Sequence, residues 1–239
     1  MMELYGLITK FSCLSSESEH EQRYFVPAQL RSSPAGLCEI KPSKSDPCSL
    51  YLHFLNGFVP HGLFSQFLSR CISWYSKHGI KQAPQLYNNG ARLFIGVQAI
   101  FDLVLICRKR FIKVILKRRK PASPDPSSTT ASSKMAVEVR TFIEKTLESL
   151  SRDLSWLRNL RYELSVACSH CVESSEKCSK HGLVRCGQDD CLHLLQVCPG
   201  EELICGKSFS DEAIKVHGLE KWFEVENSQV PIETFELKP

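Results

Sequence analysis

Cysteine and histidine residues are concentrated near the C-terminus, and their spacing limits how the last third of this chain can fold. Seven of the 12 cysteines lie within the 38 residues from Cys168 to Cys205. The first residues, "MMELYGLITKF", lack the cationic start and the cleavage site of a secretory signal peptide, so we expect a cytoplasmic protein. Because thiols stay reduced in that compartment, metal ligands or buried thiols are favoured over disulfides.

Two pairs in this region have the two-residue gap with which a tight turn brings two ligands to one zinc ion. The pairs are Cys168 with Cys171 and Cys178 with His181. Together they supply four soft ligands, which close a tetrahedral shell and leave no position for a reacting water. The spacing therefore predicts a structural zinc site and not a catalytic one.

The six-residue spacer between the pairs is shorter than the usual spacing in zinc fingers, so other ligand sets stay open. Cys186, Cys191 and His193 are alternates that would replace one pair, or would bind a second ion together with Cys198. Buried thiols without metal are the competing interpretation. No catalytic motif is present, and "GEELICGKS" has five residues between its glycines where a phosphate-binding loop has four. We therefore expect neither an enzyme nor a nucleotide site.

A Pro/Ser/Thr-rich segment, "PASPDPSSTTASSK" at 121–134, divides the chain. Its composition cannot build a core, which predicts a linker. Beyond it, apolar residues at helical spacing predict one long amphipathic helix over 135–166, followed by a Cys/His-rich module over 167–239. An alternating four-three repeat from Ile143 to Leu157 fits either a dimer seam or packing against the chain's own sheet.

The part before the linker alternates between strand and helix signals. Apolar spacing predicts a short helix over 1–11, strands at "RYFVPAQL" and "CSLYLHFL", and a helix from His61 to His78 capped by Gly79. The predicted fold class is α+β, with an antiparallel sheet and packed helices. Six residues are expected in its core: Phe58, Val59, Leu63, Phe64, Phe67 and Leu68.

The run "RLFIGVQAIFDLVLICRKRFIKVILKRRKP" is apolar at its start and basic at its end. The stretch from Leu93 to Cys107 is shorter than the roughly 20 apolar residues of a membrane span, and it contains Asp102. Its period of two predicts a β-hairpin instead, with Lys113 and Lys117 facing outward to protect a sheet edge.

Residues 108–120 carry eight cations without an acid. The whole chain has a net charge of +4, so the rest of the chain, without this segment, has a net charge of −4. The chain as a whole is therefore not a general nucleic-acid binder. A solvated strand face is one interpretation of this basic hairpin. A surface that binds phosphate, anionic lipid or an acidic partner is the alternative.

Three phrases carry a family resemblance. "RYFVPAQL" (23–30), "LYLHFLNGFVPHGLFSQFLSR" (50–70) and "QLYNNGARLFI" (85–95), followed by a hairpin, resemble the COR domain, the module that follows the Roc GTPase in Roco proteins. The resemblance covers about residues 1–120. It implies the end of a winged-helix-like first half at 1–30 and an α+β second half at 31–120, without most of the first half and without Roc.

In that family COR transmits signals and dimerises, and the GTPase activity belongs to Roc. The resemblance thus implies a non-catalytic regulatory and dimerisation or interaction module, with a Roc-type GTPase domain or a second copy as its partner. One alternative is a zinc-stabilised adaptor that recruits a protein through its Cys/His-rich tail. Another is a peripheral binder of anionic surfaces through 108–120, with no specific nucleic acid and no membrane span.

Overall fold

A computed structural model describes most of the 239-residue chain. The described residues are 8–12, 22–26, 29–38, 49–77, 82–96, 100–119, 127–173, 177–184, 188, 191–198, 200–207, 213–216 and 218–223. Within them an antiparallel seven-stranded sheet packs against helices. The prediction of an α+β fold with an antiparallel sheet is therefore confirmed.

The strands are β1 Thr9–Ser12, β2 Gln22–Phe25, β3 Leu50–Phe54, β4 Gln85–Tyr87, β5 Gly90–Ile95, β6 Phe101–Cys107, β7 Phe111–Arg118, β8 Tyr162–Ala167 and β9 Leu194–Gln196. The helices are α1 Ala35–Cys38, α2 Leu63–Lys77, α3 Ser127–Asp153, α4 Ser169–Glu173 and α5 Glu220–Phe223. The large sheet has the order β4-β5-β6-β7-β3-β8-β9, and β1 and β2 pair separately.

The predicted hairpin forms the middle of the large sheet. β6 and β7 pair from Phe101 opposite Arg118 to Cys107 opposite Ile112, and the backbone N–H of Arg108 donates to the carbonyl of Phe111 at 2.8 Å. β7 also pairs with β3, so it is an interior strand. Its near-continuous apolar sequence suits a strand that is covered on both faces.

The prediction that Lys113 protects a sheet edge is wrong, because β7 has a neighbour on each side. Lys113 is only 7% exposed, and its ammonium lies 5.7 Å from the centre of the Tyr51 ring. The electron-rich face of the ring replaces part of the water that an exposed lysine would keep. Lys117, near the end of the strand, is exposed as expected.

Alternate side chains of the sheet contribute to the main core. Leu52 of β3, Val114 of β7 and Leu103 of β6 are buried on the face that α2 and α3 cover. On the opposite face, smaller clusters form around Ile106 and around Tyr51. Burial on both faces explains why polar residues are rare in the central strands.

Helix α2 confirms the helix predicted over 61–78 to within two residues at its start. Phe67 is fully buried, and Trp74 stacks on Phe142 of α3 with ring centroids 4.6 Å apart. One predicted core residue is wrong. Phe58 is 53% exposed, because it lies in the turn between β3 and α2 and not on the buried face of the helix. Gly79 lies outside the described residues.

Helix α3 covers the same face of the sheet with one buried residue per turn, from Val139 through Ile143, Leu147 and Leu150. The four-three repeat therefore packs against the chain's own core and not in a dimer seam. The boundaries differ from the prediction of a linker to 134 and a helix over 135–166. The helix begins at Ser127 and ends at Asp153, after which a 3₁₀ turn leads to β8.

The predicted N-terminal helix over 1–11 is also corrected. Residues 9–12 form β1, which pairs with β2 from Thr9 opposite Phe25 to Ser12 opposite Gln22. Residues 1–7 lie outside the described residues. The second strand of this pair confirms the strand predicted at "RYFVPAQL", although Pro27 is not described.

No helix within the described part of the chain is both long and apolar enough to cross a lipid bilayer. This agrees with the interpretation of Leu93 to Cys107 as strands, since β5 and β6 account for most of that stretch.

Candidate metal centre

The register of β8 against β9 positions the first two functional side chains. The last ladder pair is Ala167 opposite Leu194, and the backbone N–H of Cys168 donates to the carbonyl of His193 at 2.9 Å. Residues that lie opposite each other in an antiparallel pair point to the same face. Cys168 and His193 therefore lie side by side at the end of the sheet, although 25 positions separate them in the sequence.

The single turn of α4 adds a third candidate ligand. It begins immediately after Cys168 and brings Cys171 back towards it, and the backbone of Cys171 hydrogen-bonds to the Cys168 sulfur. The Cys171 Sγ lies 3.2 Å from Nδ1 of His193. This is the tight-turn geometry that the two-residue gap predicted.

The fourth candidate ligand, Cys205, comes from a later segment. An isolated bridge pairs Ile204 with Ala213, and the backbone N–H of Ile214 donates to the carbonyl of Leu203 at 2.6 Å. These contacts hold the Cys205 Sγ 3.6 Å from the Cys171 Sγ and 3.6 Å from Nδ1 of His193. Cys168, Cys171, His193 and Cys205, here called the inner group, have ligand atoms that all lie within 4.8 Å of one another.

These separations match the edges of a zinc tetrahedron. With Zn–S of about 2.3 Å and Zn–N of about 2.1 Å, two sulfurs lie about 3.8 Å apart and a sulfur and a nitrogen about 3.6 Å apart. A disulfide would bring the sulfurs to about 2.05 Å. Cys168, Cys171 and Cys205 are free thiols in the structure. The inner group can thus hold a metal ion.

Without a metal ion, burial keeps the side chains of the inner group uncharged. Burial, reinforced by the neighbouring thiols, raises the pKa of Cys171 to about 12, and burial also raises the pKa of Cys168. Burial and the charge of Lys207 lower the pKa of His193, which favours the neutral imidazole that ligates metals. A divalent cation would reverse the effect on the thiols, since a coordinating thiol is deprotonated.

The inner group belongs to the main hydrophobic core. Cys168 and Cys205 are at most 1% exposed, and they cluster with Leu195, Leu203 and Trp222. The helix that contains Trp222, α5, also contacts α3. A metal ion bound at this position would therefore join the C-terminal segments to the body of the protein.

A second set of candidate ligands lies in the loop between β8 and β9. Cys178, His181 and Cys191, here called the outer group, also have ligand atoms within 4.8 Å of one another. The two sulfurs are 3.6 Å apart, and Nδ1 of His181 lies 3.6 Å from Cys178 and 3.3 Å from Cys191. The outer group is more exposed than the inner one.

The structure separates the four ligands that the sequence predicted for one site. It keeps each predicted pair together, but Cys168 and Cys171 belong to the inner group whereas Cys178 and His181 belong to the outer group. The alternates His193 and Cys191 join the inner and outer groups respectively. Cys186 lies outside the described residues.

Sequence reasoning missed Cys205 as a ligand, and no local signal identified it. Its nearest cysteine in sequence, Cys198, is a member of neither group among the described residues. Cys205 reaches the site through the bridge between Ile204 and Ala213, which spacing alone does not show.

The basic hairpin does not form one continuous charged surface. Lys113 is buried, and Arg119 lies 3.5 Å from the carboxylate of Asp102 and 4.9 Å from the centre of the Phe94 ring. Arg110 donates to the carbonyl of Leu192 at 3.5 Å. Several of the predicted cations thus have partners within the fold. On the neighbouring strand β3, Nδ1 of His53 lies 2.9 Å from a carboxylate oxygen of Glu163.

Comparison with known proteins does not assign the chain to a family. No family model matches it, and a search of curated proteins finds no match either.

Proposed function

We propose that this chain is a non-catalytic regulatory and dimerisation or interaction module of a Roco-type GTPase signalling protein. The observation that carries the proposal is the way in which the quoted phrases fold together. "LYLHFL" is β3, the following turn leads directly into α2, and "QLYNNGARLFI" is the β4–β5 hairpin. The strand β3, the helix α2 and the β4–β5 hairpin belong to one sheet-and-helix body, which is the architecture that the COR resemblance implies.

The close packing of the body supports a signal-transmitting role. Its central strands are buried on both faces, and the stacked rings of Trp74 and Phe142 join α2 to α3. Close-packed interiors transmit displacement because they compress little. A partner that moves one edge of this sheet would therefore move the helices with it.

The exposed apolar residues near the start of α2 are the proposed contact surface. Leu55 and Phe58 are more than half exposed, and Trp156 is 45% exposed. The Trp156 ring lies at Gly62, where it would come within 3.5 Å of an added Cβ, so the turns that hold these residues are neighbours. Large exposed apolar side chains that lie together are typical of interaction sites.

Binding to a purified Roc-type GTPase domain tests this proposal, with GDP and with a non-hydrolysable GTP analogue. Light scattering of the isolated chain tests dimerisation in parallel. We expect Phe58→Ser to weaken association at least tenfold while the far-UV circular dichroism stays unchanged. Leu183→Ser, at an equally exposed apolar residue remote in sequence, is the matched control. A chain that stays monomeric and binds neither nucleotide state would refute the proposal.

We propose further that the ion of the inner group is zinc and that its role is structural. Cys168, Cys171, His193 and Cys205 would hold it, and three thiolates with one imidazole are a usual set for zinc. Four protein ligands leave no open position for a reacting water, which agrees with a non-catalytic role. Such a centre would fix the C-terminal segments to the sheet.

A zinc-stabilised adaptor is the second candidate, and exposed apolar residues beside the ligands favour it. Leu183, Val184 and Ile204 are 51%, 47% and 52% exposed, and each lies close in sequence to a ligand. The two candidates differ in what Leu183→Ser does. If that substitution abolishes partner binding and Phe58→Ser does not, the adaptor is the correct assignment.

A further inference from the structure

We infer that the outer group, Cys178, His181 and Cys191, is a second zinc centre, separate from the inner one. This inference does not depend on the proposed Roco function. Three independent observations carry it: the spacing of the ligand atoms, the hydrogen bonding of the turn that holds two of them, and the lack of apolar support for the loop.

The ligand spacing at the outer group is that of a tetrahedral face. The sulfur–sulfur separation is 3.6 Å and the two sulfur–nitrogen separations are 3.3 and 3.6 Å. Zinc tetrahedra have corresponding edges of about 3.8 and about 3.6 Å. Similar distances, 3.2 and 3.6 Å, occur in the inner group, so both groups have a similar local geometry although different segments build them.

The turn from Cys178 to His181 is arranged to stabilise a thiolate. The backbone N–H of His181 donates to the Cys178 Sγ at 3.1 Å. The backbone N–H of Gly182 donates to the carbonyl of Cys178 at 2.9 Å, with Gly182 at a φ of 64°, which glycine adopts without strain. Hydrogen bonds to the charged form favour the ionised sulfur that a metal requires.

The loop over 177–184 has almost no core of its own. Every residue in it except Cys178 is exposed, including the apolar Leu183 and Val184. A segment that buries so little apolar surface cannot offset the entropy of ordering its backbone. Small units of this kind usually depend on a metal or a disulfide. The converging ligands supply that crosslink.

The pairing of the chain explains why the inner group lies next to the sheet and the outer group farther from it. The bridge between Lys177 and Val184 lies ten residues after Ala167 and ten residues before Leu194, so this bridge and the β8–β9 ladder have the register of one hairpin, with α4 in its first arm. The inner group lies at the base of this hairpin and the outer group near its tip. Exposure therefore differs between them: the inner ion would be enclosed by the core, and the outer ion would be open to solvent.

The ligand chemistry defines the class of metal. Two thiolates and an imidazole select zinc over magnesium or calcium, which prefer oxygen ligands. The exposed outer ion, with fewer ligands among the described residues, would exchange faster than the inner one. Its removal would loosen the hairpin tip and leave the sheet intact.

Native mass spectrometry of the full chain, purified from zinc-supplemented cells without chelator, tests this inference by counting bound ions. We expect two zinc ions in the wild type and one in Cys178→Ser and in Cys191→Ser, with unchanged far-UV circular dichroism. Cys198→Ser is the matched control, since Cys198 belongs to neither group, and it should retain two ions. Addition of a chelator to the wild type should release the ions in two steps.

Several outcomes would overturn the second centre. One is a wild-type count of one ion that Cys191→Ser does not change. Another is loss of both ions in a single step, which would indicate one shared cluster. A third is a disulfide between Cys178 and Cys191, seen after denaturation as a mass lower by two hydrogens. If a variant fails to fold, the number of steps in which the chelator releases zinc from the wild type still decides between two centres and one. None of these results affects the Roc-binding test, so the two proposals fail separately.

Discussion

The backbone N–H of Cys168 donates to the carbonyl of His193 at 2.9 Å, and this one hydrogen bond extends the β8–β9 ladder into the inner group. The sheet therefore determines which histidine meets the first cysteine. A ligand set built on a ladder is held before any ion arrives, so the metal and the sheet should stabilise each other.

Substitution of the two histidines proposed as metal ligands should have unequal effects on stability. His193 lies at the core and His181 is exposed, so we expect His193→Ala to lower the free energy of unfolding by about 3 kcal/mol or more, the stabilisation that a ligand supplies at about 100 times its Kd. His181→Ala should cost less than about 1 kcal/mol. Urea denaturation of both variants, with and without zinc, measures the difference. Equal losses would contradict separate inner and outer groups.

Truncation of Phe67 should be one of the most damaging changes in the sheet-and-helix body. The side chain is fully buried between α2 and the sheet, so Phe67→Ala should cost about 3 to 5 kcal/mol. Phe58→Ala is the control, because Phe58 is 53% exposed and its truncation should cost less than about 1 kcal/mol. A loss below about 1 kcal/mol for Phe67→Ala would mean that this face of α2 is not packed.

Asp102 should contribute to stability through its two arginines. It is 6% exposed; Arg92 donates to it at 3.1 Å, and Arg119 lies 3.5 Å away. Asp102→Asn removes the charge but keeps the shape, and we expect a loss of about 1 to 3 kcal/mol by thermal denaturation. The exposed pair Arg70–Asp153 is the control, since Arg70→Gln should change stability by less than about 1 kcal/mol. If Asp102→Asn and Arg70→Gln lowered the stability by similar amounts, burial would not strengthen the ion pairs of Asp102.

Local patterns in the sequence predicted local structure well. The strands β2, β3, β6 and β7 and the helix α2 were predicted from apolar spacing of two or of three and four residues. Short-range sterics determine these periods. The pairs Cys168–Cys171 and Cys178–His181 are local too, since each is held by a single turn. These features need no knowledge of the rest of the chain.

The grouping of the pairs depends on contacts between distant segments, and this is where the sequence interpretation failed. Leu154, Leu157, Leu160 and Leu164 have helical spacing, but the backbone becomes extended at Leu154 and the chain re-enters the sheet as β8. Because the prediction placed residues 162–166 in a helix, it contained no β8–β9 ladder that could bring His193 beside Cys168. Lys113 was misplaced for a similar reason, because strand order and not strand pattern decides which strand is an edge.

The alkaline stability of the protein should depend on Tyr162. Burial raises its pKa to about 12, and the nearby carboxylates of Glu144 and Glu148 add to the shift. Between about pH 10, where a tyrosine in the unfolded chain ionises, and about pH 12, the folded state keeps a proton that the unfolded state has released. Stability therefore falls as pH rises through this window, and the contribution is fully present below it.

Tyr162→Phe separates this contribution from the other groups that ionise at high pH. The variant keeps the ring beside Phe54, whose centroid is 6.2 Å away, but it has no phenol to ionise. We expect urea midpoints of wild type and variant to converge or cross as pH rises from about 9 to about 11.5, because only the wild type is penalised there. Ultraviolet titration of the phenolate should show one tyrosine that ionises late in the wild type and is missing from the variant. Parallel midpoints across the window would show that Tyr162 ionises normally and that β8 is less enclosed by α3 than the structure indicates.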